Sequence, residues 1–229
     1  MRLDYRILLL ILFLVVDTPS NQHVLAAPKA KPAKRDCSNA PAYEKQGGIL
    51  FNKPKELALI AHKGEVWSSQ FSPDSKYLVT ASNDFIAKLI EVPSGNELKQ
   101  IFHAGPIYSS QFSPDGKYFV TASHDSTAKL IEMPSGKELT SIAHKYVMTS
   151  AHFSPDGKYI VTTSFDGTAK LSEVPTGKEL ASTTQKEAVL SSQFSPDSKY
   201  FVTISKNNAA KLSEVPSGKE LKSIAHKRW

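Results

Sequence analysis

From His62 onward the chain writes one unit of 41 residues four times over. Gln-Phe-Ser-Pro-Asp begins at Gln70, Gln111 and Gln193 and appears as His-Phe-Ser-Pro-Asp from His152, while Ala-Lys-Leu recurs at Ala87, Ala128, Ala169 and Ala210. A fixed period of this length specifies an array of equal units, each burying its apolar face on its neighbour. Such arrays supply surfaces more readily than single reactive centres.

The second copy, 103–143, shows what one unit contains. Ile107, Tyr108 and Phe112 make a short apolar-rich segment, and Ser113-Pro114-Asp115-Gly116 follows it. Proline presets the first central dihedral of a type I turn, and aspartate and glycine suit the next two places. Tyr118 to Ser123 is a β-branched and aromatic run, His124-Asp125-Ser126 breaks it, and Thr127 to Met133 alternates up to Pro134-Ser135-Gly136. Glu138 to Ala143 closes the unit. Four short strands with turn signals and no helical period predict one antiparallel sheet per unit. Radial repetition of such sheets is a β-propeller.

These motifs resemble the WD40 repeat: a histidine at the start, Phe-Ser-Pro-Asp-Gly, a Ser-x-Asp turn, then Ala-Lys-Leu and a two-residue signature. The resemblance covers 62–225 and extends weakly over 47–61. It implies an all-β, WD40-like β-propeller of four complete four-stranded blades (62–102, 103–143, 144–184 and 185–225). An outer hairpin of a partial blade precedes them at 47–61, because Leu50-Phe51 aligns with Glu91-Val92 and Glu56-Leu57 with Glu97-Leu98. His226 to Trp229 begins a fifth copy and stops. Three closures compete: a tight four-blade ring, an open arc, and two chains sharing a larger ring. The expectation is an incomplete ring that associates with itself or a partner, since open sheets leave unpaired edges. The family's Trp-Asp pair is replaced by Ile90-Glu91, Ile131-Glu132, Ser172-Glu173 and Ser213-Glu214, which predicts less rigid blades. The fourth copy also has Gln185 and Asn207 where the others have histidine and aspartate.

The N-terminus reads as an export signal over 1–26: Arg2 and Arg6, an apolar run from Ile7 to Val16, and the small-residue site Val24-Leu25-Ala26. Ten apolar residues span roughly 15 Å as a helix, about half a bilayer core, so no stable membrane anchor is expected. Residues 27–46 read as a disordered basic linker, rich in proline, alanine and lysine with nothing to bury. The mature chain is expected to be secreted or periplasmic. Cys37, the only cysteine, cannot form an internal disulfide. The net charge of +6 is split between linker and repeats. No dense basic stripe with interleaved aromatics appears, which disfavours nucleic acid as a partner.

His62, Ser82 and Asp84 recur as His103, Ser123, Asp125 and as His144, Ser164, Asp166. The trio imitates a nucleophile, base and orienter. A catalytic site is built once, and three copies at a constant step describe a structural hydrogen-bond network, as the resemblance also implies. No ligand-spaced His/Cys cluster, carboxylate-rich loop or glycine-rich phosphate cradle is present, so no metal, cofactor or catalytic residue is assigned. The repeated Gly-Lys-Glu at Gly136, Gly177 and Gly218 reads as solvated turn.

The copies differ almost completely in two windows: the start of the first strand, and the residue before the turn aspartate. Both fall at one end of the predicted sheet. WD40 propellers are similar in binding partners there, which implies Glu65, Trp67 and Asn83 in the first copy. The later copies give Pro106, Tyr108, His124; Val147, Thr149, Phe165; and Ala188, Leu190, Lys206. The expected function is an exported, non-enzymatic protein-interaction scaffold with an unidentified protein partner. Its rivals are a ligand-binding or catalytic propeller and a shortened remnant of a longer one.

Overall fold

The computed structural model describes residues 58–225. The export signal, the linker and residues 47–57 of the outer hairpin lie outside them. Each copy folds into one antiparallel sheet whose strands lie in chain order. The first holds β1 (Val66–Phe71), β2 (Tyr77–Ser82), β3 (Ile86–Glu91) and β4 (Glu97–Phe102). The second holds β5 (Ile107–Phe112), β6 (Tyr118–Ser123), β7 (Thr127–Glu132) and β8 (Lys137–Ala143). The third holds β9 (Met148–Phe153), β10 (Tyr159–Ser164), β11 (Thr168–Glu173) and β12 (Glu179–Thr184). The fourth holds β13 (Val189–Phe194), β14 (Tyr200–Ser205), β15 (Ala209–Glu214) and β16 (Glu220–Ala225).

The Ser-Pro-Asp turns work as their residues predict. In the second copy Ser113 Oγ donates to Asp115 at 2.7 Å and accepts from the Tyr118 N–H at 3.0 Å. Gly116 then takes a left-handed φ of 71°, where a side chain would be strained.

Period-2 alternation gives every sheet two apolar faces. The forward face of the first sheet carries Val79, Ala81, Ala87, Leu89 and Ile101. It packs on the rear face of the second sheet, made by Ile107, Phe112, Phe119 and Ile131. The same seam recurs between the second and third sheets, where Val120, Ala122, Ala128, Leu130 and Ile142 meet Met148, Phe153 and Ile160. Between the third and fourth it is thinner, with Val161 and Leu171 against Phe194 and Phe201. Each fully buried aliphatic or phenyl side chain stabilises the seam by about 1.5–3 kcal/mol. Polar stitches cross as well: the Phe112 N–H donates to Gln70 Oε1 at 2.6 Å, and the Phe153 N–H to Gln111 Oε1 at 2.9 Å.

The chain just before β1 already follows the same plan. A Cβ on Gly136 would lie 2.6 Å from Lys99 Cγ on the outer strand of the preceding sheet, and one on Gly95 would lie 2.2 Å from Ala58 Cβ. Lys129 Nζ donates to the Phe102 carbonyl at 2.8 Å, and Lys88 Nζ to the Ala61 carbonyl at 2.8 Å. Residues 58–61 therefore sit where the outer strand of an earlier sheet would end. The first and fourth sheets do not meet, so among the described residues the four sheets form an open array and not a closed ring.

Candidate partner-binding face

Two kinds of constellation lie at one end of the sheets, a polar one on the first three and an aromatic one on the first two. The first is a tether behind the surface. His103 Nδ1 lies 2.8 Å from Asp125 Oδ2, and its Nε2 lies 2.9 Å from Thr121 Oγ1. A carboxylate only accepts, so Nδ1 carries the proton and Nε2 accepts from the threonine hydroxyl. Burial holds the His103 pKa below the ordinary imidazole range, against the pull of Asp125. The contact is thus a neutral N–H donating to a carboxylate and not an ion pair. His62 makes the same contacts to Asp84 at 3.0 Å and Thr80 at 2.8 Å. His144 bonds Thr168 and Thr162, each at 2.9 Å, with Asp166 at 3.5 Å.

The serines of the imitated triad turn elsewhere. Ser123 Oγ donates to the Gly105 and Pro106 carbonyls, each at 3.0 Å, and Ser164 Oγ to those of Tyr146 and Val147. Ser82 Oγ accepts from the Asp84 N–H at 3.1 Å. A nucleophile would need its hydroxyl on the imidazole, and here a threonine holds that place. The threonines Thr80, Thr121 and Thr162 escaped the sequence reading, although their constant step of 41 carries the signal. In the fourth copy Gln185 Nε2 donates to Thr203 at 2.7 Å, while Gln185 Oε1 is buried without a partner and Asn207 bonds Ser205 and the Ala209 N–H.

The second constellation is the surface itself. The two variable windows are joined by backbone hydrogen bonds in all four copies: Asn83 N–H to Glu65, His124 to Pro106, Phe165 to Val147, and Lys206 to Ala188. Glu65, Asn83, Phe165, Leu190 and Lys206 are exposed there. Trp67 stacks on Tyr108 with ring centroids 5.0 Å apart and planes 19° apart, and His124 closes on Tyr108 at 3.9 Å. Trp67 Nε1 donates to Glu65 Oε2 at 3.2 Å. The cluster joins the first two sheets. Burial holds the His124 pKa below the ordinary imidazole range, so the ring is neutral in this apolar setting. Thr149 is set apart, because its hydroxyl is engaged by Thr163 at 2.6 Å and by the Val189 carbonyl at 2.7 Å. Phe165 stands exposed on the third sheet, outside the aromatic cluster.

Two exposed aromatics on this end were missed. Tyr146 lies inside the first variable window. Phe85 follows the turn aspartate at a φ of 73°, a left-handed conformation that is rare for a bulky side chain. Its signal was the comparison of copies, where Phe85, Ser126, Gly167 and Asn208 share the position.

Elsewhere the surface is less suggestive. Glu97, Glu138, Glu179 and Glu220 are paired with Lys88, Lys129, Lys170 and Lys211 at 2.8–3.0 Å, so the glutamate of the Gly-Lys-Glu phrase, read as solvated turn, is a cross-strand ion pair. A shallow groove of about 450 Å³ between the outer strands of the first two sheets is lined by residues of these pairs. Among the described residues no group of His, Cys, Asp or Glu is arranged to hold a metal, and no helix is long and apolar enough to cross a membrane.

Family comparison agrees with this geometry. The family described as WD domain, G-beta repeat matches residues 54–91, 95–132 and 136–171. The chain belongs to the WD40 repeat family. Each matched span is staggered against the sheets, running from one outer strand through the third strand of the next sheet, as 95–132 does from β4 to β7. The first span includes residues 58–61, where Ala58 and Ala61 stand at the end of an outer-strand position. The fourth copy, with Gln185 and Asn207, lies beyond the matched spans. No curated protein matches the chain. WD40 repeats act in general as protein-interaction scaffolds.

Proposed function

We propose that this WD40 chain is a non-enzymatic scaffold acting outside the cytoplasm, and that it captures a protein partner on the sheet ends bearing Trp67, Tyr108 and Phe165. The observation that carries the reading is the Trp67–Tyr108 stack. Two large aromatics are held face to face at 5.0 Å, and Trp67 remains 37% exposed at the one end where the copies differ. Aromatics fixed in this way lose little freedom on binding and serve as anchors. Export rests on the signal-like residues 1–26, outside the described residues. The test is affinity capture from the exported fraction by the wild-type chain and by a Trp67→Ala/Tyr108→Ala/Phe165→Ala variant. Partner recovery should fall at least about tenfold while the circular dichroism spectrum is unchanged. Undiminished recovery by a folded variant refutes the assignment.

A further inference from the structure

The geometry points to a second copy of this chain as the occupant of the two open ends of the array, packed head to tail so that two chains close one ring of eight sheets. The argument starts from the seam that the chain builds internally. Forward-face residues of one sheet meet rear-face residues of the next, at positions that keep the same step of 41 throughout. The first sheet has a rear face with no sheet on it, buried at Ile90 but open at Val66 and Phe71, and the fourth has a forward face with no sheet on it, among the described residues. Phe71 holds the place of Phe112 and Phe153, yet it is 58% exposed where Phe112 is 5% exposed. Ile224 holds the place of Ile101 and Ile142, yet it is 47% exposed where Ile101 is 5% exposed. Val66, Ile204 and Leu212 are likewise exposed, while Ile107, Ala122 and Leu130 at the matching places are buried.

The two open faces are therefore the two halves of one known contact. A face seeking an unrelated partner would have no reason to keep Phe71 on one side and Ala210, Leu212 and Ile224 on the other. The polar stitch is conserved in the same sense. Gln193 occupies the position of Gln70 and Gln111, whose side chains accept from the N–H of a phenylalanine on the next sheet. Gln193 is exposed. Across a head-to-tail seam it faces the N–H of Phe71 in the second copy.

The contact is heterologous, so it either closes or propagates. Two chains of four sheets give eight, within the range of four to eight blades that propellers adopt. One strand end must yield where the chains meet, because residues 58–61 on the first sheet and 222–225 on the fourth hold the same place in the repeat. All six side chains of β16 are exposed, and it is paired with β15 alone. The competing segments are nearly the same sequence, Glu56-Leu-Ala-Leu-Ile-Ala-His-Lys63 against Glu220-Leu-Lys-Ser-Ile-Ala-His-Lys227. Either can therefore finish the shared sheet.

Light scattering on the mature chain tests the proposal, with Phe71→Asp and Leu212→Asp as separate variants. Both residues face solvent in the single chain, so the variants keep their fold, which circular dichroism checks; Phe71→Gln and Leu212→Gln serve if an aspartate does not. The wild type should run at twice the chain mass, and each variant should run as a monomer, its dissociation constant raised about 100-fold. An equimolar mixture of the two variants should recover a heterodimer, because one carries an intact tail and the other an intact head. A monomeric wild type overturns the proposal, as does a ladder of ever larger species. A dimer that survives both variants, or a mixture that stays monomeric, overturns the head-to-tail geometry.

Discussion

Replacing Asp125 by alanine should be among the most damaging single changes in the second sheet. Its carboxylate accepts from His103 Nδ1 at 2.8 Å, the Ala104 N–H at 2.9 Å, the Thr127 N–H at 2.9 Å and Thr127 Oγ1 at 2.6 Å. The two backbone donors sit near solvent and can recruit water. The His103 ring is fully buried and cannot, and its N–H is left with Thr127 Oγ1 at 3.2 Å as its one remaining acceptor, a longer and weaker bond. Loss of the two side-chain bonds, from His103 and Thr127, at about 1–1.5 kcal/mol net each gives a cost of about 2–3 kcal/mol. The fourth copy supplies the control. Asn207 accepts only from the Ala209 N–H and Ser205, and Gln185 makes no bond to it, so Asn207→Ala should cost about 1 kcal/mol. Urea denaturation followed by circular dichroism, with hydrogen exchange to resolve individual sheets, measures both. Equal losses at Asp125 and Asn207 would sink the claim that the His-Asp-Thr tether holds the sheet together.

Acid should weaken the fold in two stages. Burial keeps His103, His124, His144 and His152 below the ordinary imidazole pKa, so below about pH 6.5 the unfolded chain takes up protons that the folded chain does not. Stability is then complete above about pH 6.5 and declines as pH falls from there; a flat denaturation midpoint between pH 7.5 and 5 counts against this. Burial pulls the Asp125 pKa upward, but hydrogen bonds from Thr127, Ala104 and His103 outweigh it and hold the carboxyl low, so its contribution persists until pH falls through that lowered value. In the core, Ser172 is fully buried with an unpartnered hydroxyl where Ile90 and Ile131 stand in earlier copies. Ser172→Ile should raise the unfolding free energy by about 1 kcal/mol, the added methylenes outweighing any crowding, and a lowered denaturation midpoint would contradict it.

The local parts of this structure were legible because they are encoded within a few residues. Ser113-Pro114-Asp115-Gly116 predicts a turn, and a turn forms with its serine and aspartate bonded as the motif requires. Strand order followed from the same spacing. Pairing across strands was less visible. The Thr121 partner of His103 lies 18 residues away on another strand, and Lys129–Glu138 depends on a register shift in β7–β8 that no short motif announces. Closure was legible only through the count of units, which gave the expectation of an incomplete ring, and the described sheets are not closed into one. The period counts sheets, but the turn from one sheet to the next is set by how Phe112 and Phe119 fill the space above Leu89, and that angle has no sequence signature. Comparison of the copies located the variable end; only side-chain geometry showed that Trp67, Tyr108 and His124 meet there while Thr149 is engaged elsewhere.

Because every backbone ladder is confined to one sheet and every seam joins the same kinds of side chain, the unit of folding here is also a unit of heredity. Removing 41 consecutive residues takes away one sheet and leaves its neighbours to meet through a seam close to the one they lost, with phenylalanine at Phe112, Phe153 or Phe194 ready to fill it. Inserting a copy does the reverse. Unequal recombination between such similar stretches can therefore lengthen or shorten the array in whole sheets, and the number of sheets becomes a property that drift can alter in single steps.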